Sequence, residues 1–120
     1  MDDKVNLAEK LERIDGHWKP KIVAEYNENK LVLVKTKGEF VWHKHDDTDD
    51  CFLVIKGKLV IQLRDRDVEL NEGELFVVPR GVEHCPRSDE GAEVLVLEPM
   101  DTVNTGDAAD SELTAEPERL

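Results

Sequence analysis

Between residues 20 and 100, apolar residues occur in short runs that turn-forming residues separate. The runs that we expect to form strands are Lys21–Tyr26, Leu31–Lys37, Glu39–His45, Cys51–Lys56, Leu59–Arg64, Leu75–Val78 and Val94–Glu98. Glycine, asparagine or aspartate lies between most of them, and these residues favour turns. Seven short strands with no intervening helix indicate an all-β domain, built as a sandwich or a barrel.

A short amphipathic helix is predicted before the first strand, from Asn6 to Asp15. Leu7, Leu11 and Ile14 are spaced so that they share one face of a helix. Asn6 can cap the amino-terminal end, and Gly16 can end the helix.

The last twenty residues differ in composition from the rest of the chain. Residues 101–120 contain six acidic residues, one basic residue and few apolar ones, which is typical of a tail rather than a second domain. We therefore expect three parts: an amino-terminal helical segment (residues 1–19), a β domain (residues 20–100) and an acidic carboxy-terminal tail (residues 101–120).

The charge balance argues against several classes of partner. Twenty-eight acidic residues against sixteen basic ones give a net charge of −12, which repels phosphate backbones and anionic membranes. No apolar run approaches the roughly 18 residues that a transmembrane helix needs. The first residues carry no apolar stretch of the secretory type, and two cysteines are too few for a disulfide framework. We expect a cytoplasmic protein that binds neither nucleic acid nor membrane.

Three of the four histidines lie in or beside predicted strands. His43 and His45 are two residues apart, so in a strand both side chains project from the same face. Such a pair can chelate one metal ion, although a hydrogen-bonded or exposed pair fits the same spacing. The same strand alternation places Phe40 opposite His43.

The histidines belong to a longer pattern of chemically distinctive residues. In chain order this pattern is Gly38, His43-x-His45, Asp50, Gly57, Gly73, Pro79, Gly81 and His84. It resembles the two sequence motifs of the cupin family, in particular small single-domain cupins of the cupin 2 conserved-barrel type. The resemblance implies an antiparallel jelly-roll barrel, also called a double-stranded β-helix, over residues 20–100.

The resemblance also implies a divalent metal ion inside the barrel, held by His43, His45, Asp50 and His84. The chain departs from the family pattern at this site, because aspartate stands at position 50 where glutamate is usual. Asp49 also falls within the permitted spacing. We prefer Asp50 as the carboxylate ligand, because six residues then separate it from Gly57 as in the family.

Imidazole nitrogens and one carboxylate suit Mn, Fe, Co, Ni or Zn, and four protein ligands leave one or two positions open on an octahedral ion. Such a centre predicts a small-molecule ligand with a chelating end.

We expect a metal-dependent oxygenase or lyase. A non-catalytic binding or sensing module is the alternative, and a sugar-phosphate isomerase fits less well. The histidines could also form a polar cluster without a metal.

Three predicted strands are apolar on both faces, and the barrel interior can bury only one face of each. These strands are Cys51–Ile55, Leu75–Val78 and Val94–Leu97. A soluble monomer rarely exposes a large contiguous apolar patch. We therefore expect a homodimer, in which sheets pack through residues such as Leu53, Ile55 and Val96.

Overall fold

A computed structural model describes residues 3–108 and 111–120 of the chain. In chain order its elements are α1 (Leu7–Glu12), β1 (Lys21–Tyr26), β2 (Asn29–Glu39), β3 (Asp50–Gly57), β4 (Leu59–Leu63), β5 (Asp67–Leu70), β6 (Leu75–Val78), β7 (His84–Pro99) and β8 (Glu118–Arg119). Strands dominate and one short helix precedes them. The predicted all-β class with an amino-terminal helix is confirmed.

The long strand β7 organises the sheet. Along one edge it pairs antiparallel with β2, from Asn29 opposite Pro99 to Glu39 opposite Arg87. Along the other edge its carboxy-terminal half pairs with β3 and its amino-terminal half with β4. Strand β7 therefore joins β2 on one edge to β3 and β4 on the other.

Alternation along these strands separates an inner face from an outer face. The main cluster of buried apolar residues comprises Ile22, Val32, Val34, Phe52, Val54, Leu59, Ile61, Leu70, Val78, Ala92, Val94 and Val96. Val96 therefore lies inside the barrel, and its assignment to an outer dimer surface was wrong. In β7 the inward residues are the even-numbered ones, Val94 and Val96, whereas Leu95 and Leu97 face outwards.

Helix α1 covers part of the outer face. The Asn6 side chain accepts a hydrogen bond from the Glu9 backbone at 3.0 Å, which confirms the predicted cap. The helix is shorter than predicted and ends at Glu12, but Leu11 and the following Ile14 still pack against Leu33 of β2. Ile55, which is half-buried on the outer face, packs against this second cluster as well, and its place in a dimer surface stays a prediction.

The predicted strand Glu39–His45 does not form. A register shift interrupts the β2–β7 pairing between Thr36 and Gly38, and Gly38 has a φ of +81°. The chain then leaves the sheet after Glu39. Within the segment that follows, only His43 makes a β-bridge, and its partner is His84. Strand alternation consequently fails to predict side-chain directions from Phe40 onwards.

Strands β5 and β8 and the first part of β7 were not predicted from the sequence. β5 has the sequence Asp-Val-Glu-Leu, and β7 begins ten residues earlier than predicted, in a segment that includes Ser88, Asp89 and Glu90. Backbone pairing with β4 and β2 makes these polar residues part of the sheet.

The carboxy-terminal segment contacts the barrel at two places. The Asp107 carboxylate accepts a hydrogen bond from the Lys44 backbone at 2.8 Å, and the Asp107 backbone donates to the Lys44 carbonyl at 3.1 Å. At its end, β8 pairs in parallel with β1, and Leu120 donates to the carbonyl of Ile22. The division of the chain into three parts stays a prediction.

None of the helices in the described residues is long and apolar enough to cross a membrane.

Gly57 ends β3 at a point where the chain needs both a left-handed backbone and free space. Its φ is +83°, and a Cβ atom placed there would lie 2.5 Å from the backbone oxygen of Gly91. Gly73 has nearly the same φ, +81°, but a Cβ atom at this position would meet no described atom within 4 Å. A comparison of substitutions at the two glycines therefore distinguishes the cost of backbone strain from the cost of a steric clash.

We predict that Gly73→Ala lowers the free energy of unfolding by about 1–2 kcal/mol, the cost of a left-handed alanine. Gly57→Ala should cost at least about 1 kcal/mol more, because strand β7 must also shift. Chemical denaturation of both variants measures the difference. Equal losses of unfolding free energy in the two variants would contradict a clash between β3 and β7.

Candidate metal centre

A pair of backbone hydrogen bonds brings together the two segments that carry the histidines. His43 donates to the His84 carbonyl at 3.0 Å, and His84 donates to the His43 carbonyl at 2.8 Å. The centroids of the His43 and His84 rings lie 4.3 Å apart, and the centroid of the His45 ring lies 5.0 Å from that of His43. One potential ligand atom from each of the three side chains lies within 4.8 Å of the others. All three residues are buried.

The protons on two of these rings are oriented by nearby carbonyl groups. His43 Nδ1 lies 2.9 Å from the Val41 carbonyl oxygen, and His84 Nδ1 lies 3.0 Å from that of Val82. A carbonyl can only accept, so each Nδ1 carries a proton and each neutral ring keeps its lone pair on Nε2. Within the described part of the chain, the buried Nε2 atoms of His84 and His45 have no hydrogen-bond partner.

Burial keeps the three rings neutral. It lowers the pKa of His43 to about 4, and repulsion from His84 adds to this effect. The pKa values of His45 and His84 are also lowered, in both cases mainly by burial. Neutral imidazoles with free lone pairs are the form in which histidine binds metals.

The two neighbouring acidic residues occupy different environments. Asp50, the first residue of β3, is 4% exposed, and its Oδ2 lies 3.4 Å from His45 Nε2. Its other carboxylate oxygen is buried without a hydrogen-bond partner among the described residues. Asp49 is exposed, and its Oδ1 accepts a hydrogen bond from the Arg80 backbone at 2.9 Å. Asp50 therefore contacts His45 but is not among the three residues whose ligand atoms lie within 4.8 Å of one another, whereas Asp49 is exposed.

Two buried charged residues next to this site were not identified from the sequence. Glu98 of β7 hydrogen-bonds the Asp50 carboxyl, and Lys30 Nζ of β2 lies 3.7 Å from a Glu98 carboxylate oxygen. Lys30 also donates to the carbonyls of Thr102 at 2.9 Å and Met100 at 3.3 Å. Burial raises the pKa of Glu98 and of Asp50.

Strand alternation contains the signal for both residues. Lys30 has the same parity as the inward-facing Val32 in β2, and Glu98 has the same parity as Val96 in β7. A charged residue at an inward position must be paired. The signal was missed because both residues lie at the edge of an apolar run, where charge is ordinarily explained by exposure.

A cavity borders the candidate site at His43 and Asp50. Its volume is about 60 Å³, several times the roughly 10–15 Å³ that one water molecule requires. Its lining comprises the apolar residues Pro20, Val32, Val34, Phe52, Pro86 and Val96, the aromatic residues Trp18 and Phe40, and the polar residues His43, Asp50, Glu98 and Asn104. The predicted direction of Phe40 was wrong, since its ring lies 5.5 Å from that of His43.

The donor atoms at this site fit a divalent transition metal. Three imidazoles and a carboxylate are ligands that such ions prefer, and the site contains buried lone pairs that the described protein atoms leave without partners. The histidines are held by backbone contacts of their own, as is usual for metal ligands.

Small β-barrels with inward-facing histidines from two neighbouring segments are characteristic of one class of proteins. The family model described as "Cupin domain" matches residues 30–98. The chain therefore belongs to the cupin family, within its Cupin_2 group, and the predicted jelly-roll barrel is confirmed.

Similar proteins include one solved structure and two curated sequences. A cupin-2 domain containing protein from Shewanella frigidimarina is 43% identical, with a TM-score of 0.78 over 79% of this chain and 93% of that one. The uncharacterized protein YdbB from Bacillus subtilis is 33% identical over 55% of this chain and 59% of its own length. The 3-hydroxyanthranilate 3,4-dioxygenase from Ruegeria pomeroyi is 37% identical over 53% of this chain and 39% of the enzyme. The chain thus spans less than two thirds of either curated relative.

The depressed pKa of His43 predicts an acid-sensitive barrel when no metal is bound. The unfolded chain takes up this proton near pH 6.5, whereas the folded chain resists it until about pH 4. The stability contributed by neutral His43 is therefore present above pH 6.5 and is lost as the pH falls towards 4. His43→Asn retains a donor for the Val41 carbonyl but does not titrate in this range.

In the presence of a chelator, the wild-type advantage in unfolding free energy over His43→Asn should shrink by on the order of 2 kcal/mol between pH 7 and pH 4. Denaturant titrations at a series of pH values measure this difference. A difference that does not depend on pH would contradict the buried, neutral state of His43.

Proposed function

We propose that the protein binds one divalent metal ion through His43, His45, Asp50 and His84, and acts as a metal-dependent oxygenase on a small molecule. The observation that carries the proposal is the cluster of three histidines whose ligand atoms lie within 4.8 Å of one another. Two buried ring nitrogens, His45 Nε2 and His84 Nε2, have no hydrogen-bond partner among the described residues, and a bound ion would occupy their lone pairs.

The charges around Asp50 favour its role as the carboxylate ligand. Burial is the main cause that raises the pKa of both Asp50 and Glu98, and their mutual hydrogen bond acts to lower the pKa of Asp50 and to raise that of Glu98. Lys30 adds a buried positive charge next to the pair. These contacts orient a carboxylate towards the histidines.

The chemistry would come jointly from the ion and the cavity. When bound, a divalent ion polarises oxygen donors of a ligand, and iron would add the redox capacity that an oxygenase requires. The protein's own contribution is to exclude water with an apolar lining and to admit a compact ligand. Mn, Fe, Co, Ni and Zn all suit the donor set.

The choice of an oxygenase over other cupin activities rests on relatives and on the cavity. Several curated relatives are named as dioxygenases, at 30–37% identity. A sugar-phosphate isomerase is less suitable, because the cavity lining contains no lysine or arginine for a phosphate in the described part of the chain, and buried Lys30 is paired with Glu98. A lyase, the other activity expected from the sequence, would use the same proposed metal centre.

We predict that His45→Ala and Asp50→Asn each reduce bound metal to a small fraction of the wild-type amount, because each removes a ligand. The matched controls, His17→Ala and Asp49→Asn, should retain wild-type metal content, since both residues are exposed. Metal analysis after reconstitution measures this, with circular dichroism as the check on folding. Loss of metal in Asp49→Asn alone would reassign the carboxylate, and full occupancy in His45→Ala would refute the site.

An oxygen electrode tests the proposed reaction. The iron-loaded protein should consume O2 when supplied with compact molecules that bear two adjacent oxygen donors, such as a catechol, a 2-oxo acid or a 2-hydroxy acid. His45→Ala should abolish that consumption. Tight binding of one of these molecules without oxygen uptake would instead support a binding or sensing module.

We also propose that the protein is a homodimer, through a patch on the outer face of the sheet. Val77, Cys51 and Leu97 lie side by side on β6, β3 and β7, and Leu75 and Leu53 extend the patch. Leu75 is 60%, Val77 44% and Leu97 39% exposed. Helix α1 covers the neighbouring part of this face, and the apolar residues that it leaves exposed would be covered by a second copy.

Light scattering behind a sizing column should therefore give a mass near 27 kDa, twice the chain mass of 13.7 kDa. Val77→Glu should shift the mass towards the monomer, because it would bury a charge at the patch. Tyr26→Glu is the control, since Tyr26 is 66% exposed at the end of β1. A mass of 13.7 kDa at micromolar concentration would contradict the proposal.

We retain the cytoplasm as the proposed location. Cys51 and Cys85 are both free, and Cys85 is fully buried, as expected for thiols in a reducing compartment.

A further inference from the structure

Trp18 lies in the segment between α1 and β1, outside the residues that the family model matches. Its ring stacks on Phe40 with a centroid distance of 4.7 Å, and the Phe40 ring meets His43 edge-on at 5.5 Å. Both aromatic residues line the cavity, and both are half-buried. They therefore form an aromatic wall, defined as Trp18 and Phe40, between the solvent and the proposed metal ligands.

The backbone at Trp18 has a conformation that bulky residues rarely adopt. Its φ is +59°, and two hydrogen bonds to β2 hold it there. The Trp18 backbone donates to the Lys35 carbonyl at 2.8 Å, and the indole Nε1 donates to the Lys37 carbonyl at 2.8 Å. A strained residue fixed at the edge of a cavity points to a role in that cavity.

Packing of the barrel does not account for the indole ring. In the described residues, Trp18 belongs neither to the main apolar cluster nor to the cluster beneath helix α1. The ring instead has one face on Phe40 and takes part in the lining of the cavity. Replacing it by a smaller apolar side chain would leave both clusters intact.

The size of the cavity indicates how a ligand would use this wall. An interior of about 60 Å³ accommodates a chelating group next to His43 and Asp50 but leaves little room for the remainder of a ligand. Trp18 and Phe40 are the aromatic members of the half-buried part of the lining, which also includes Pro20 and Asn104, so they offer the remainder a planar surface. Aromatic rings prefer stacked or edge-on contact with other planar rings.

We propose that Trp18 and Phe40 determine ligand specificity, by selecting molecules in which the chelating group is attached to a planar aromatic ring. This inference rests on the proposed function, since the chelating group is taken to reach the metal. The competing explanation is that Trp18 is only an anchor, which ties the amino-terminal segment to β2 through its two hydrogen bonds.

Calorimetry on the zinc-loaded protein distinguishes these roles, with two probes that share the same pair of oxygen donors, an aliphatic hydroxyl and a carboxylate. Mandelate has a planar phenyl ring, and 2-cyclohexyl-2-hydroxyacetate is its saturated counterpart. We expect wild type to bind mandelate about five- to tenfold more tightly than the saturated probe. Trp18→Leu should bring the two affinities within about twofold, whereas Trp18→Phe should retain the preference because it keeps a ring.

Trp42→Leu is the matched control. Trp42 is the other tryptophan of the chain, its ring lies under the Arg64 guanidinium at 3.8 Å, and it does not line the cavity. This variant should keep the wild-type preference. In Trp42→Phe, the single remaining indole N–H signal belongs to Trp18, and mandelate but not the saturated probe should shift it in a proton–nitrogen NMR spectrum.

Three outcomes overturn the inference. The first is that wild type has no preference for the aromatic probe, and the second is that this preference survives in Trp18→Leu. The third is that Trp18→Phe and Trp18→Leu lose the preference equally, with equal falls in the thermal midpoint of unfolding. The last result would identify Trp18 as an anchor. Zinc binding is measured separately in every variant. If wild type binds no zinc, the proposed function fails, and the same two probes on the metal-free protein still decide whether the aromatic wall discriminates.

Discussion

The β-bridge between His43 and His84 is the contact on which the site depends. Its two hydrogen bonds join a segment that has left the sheet to the first residue of β7. The Val41 and Val82 carbonyls then fix the Nδ1 protons of the same two histidines. One short stretch of backbone pairing therefore sets both the positions of the rings and the atoms that can bind a metal.

The surroundings of the site show how the fold tolerates buried charge. Asp50, Glu98 and Lys30 would each be costly inside a barrel if isolated, because water no longer stabilises the charged form. Here the two carboxyl groups are hydrogen-bonded, and Lys30 is shared between Glu98 and two backbone carbonyls beyond β7. The chain that follows β7 is thereby connected electrostatically to the candidate metal centre.

Segments on both sides of the family match in the sequence contact the barrel. Helix α1 buries Leu11 and Ile14 against the outer face, and Trp18 then turns the chain towards the cavity. Asp107 holds the carboxy-terminal segment to Lys44, the residue between His43 and His45. Contacts from outside the family match therefore reach the surroundings of the candidate site.

The sequence by itself determined the all-β class, the strands β1 and β6 with their observed limits, the capped helix and the motif histidines. These features follow from local rules: alternation of apolar residues, turn chemistry and capping. Tertiary structure alone decided the extent of β7, because polar Ser88 and Asp89 are in a strand only through pairing with neighbours. It also decided the inward direction of Phe40 and the burial of Lys30 and Glu98. The physical reason is that the register shift before Gly38 breaks the two-residue period, and a charged group stays buried only where distant residues supply its partners.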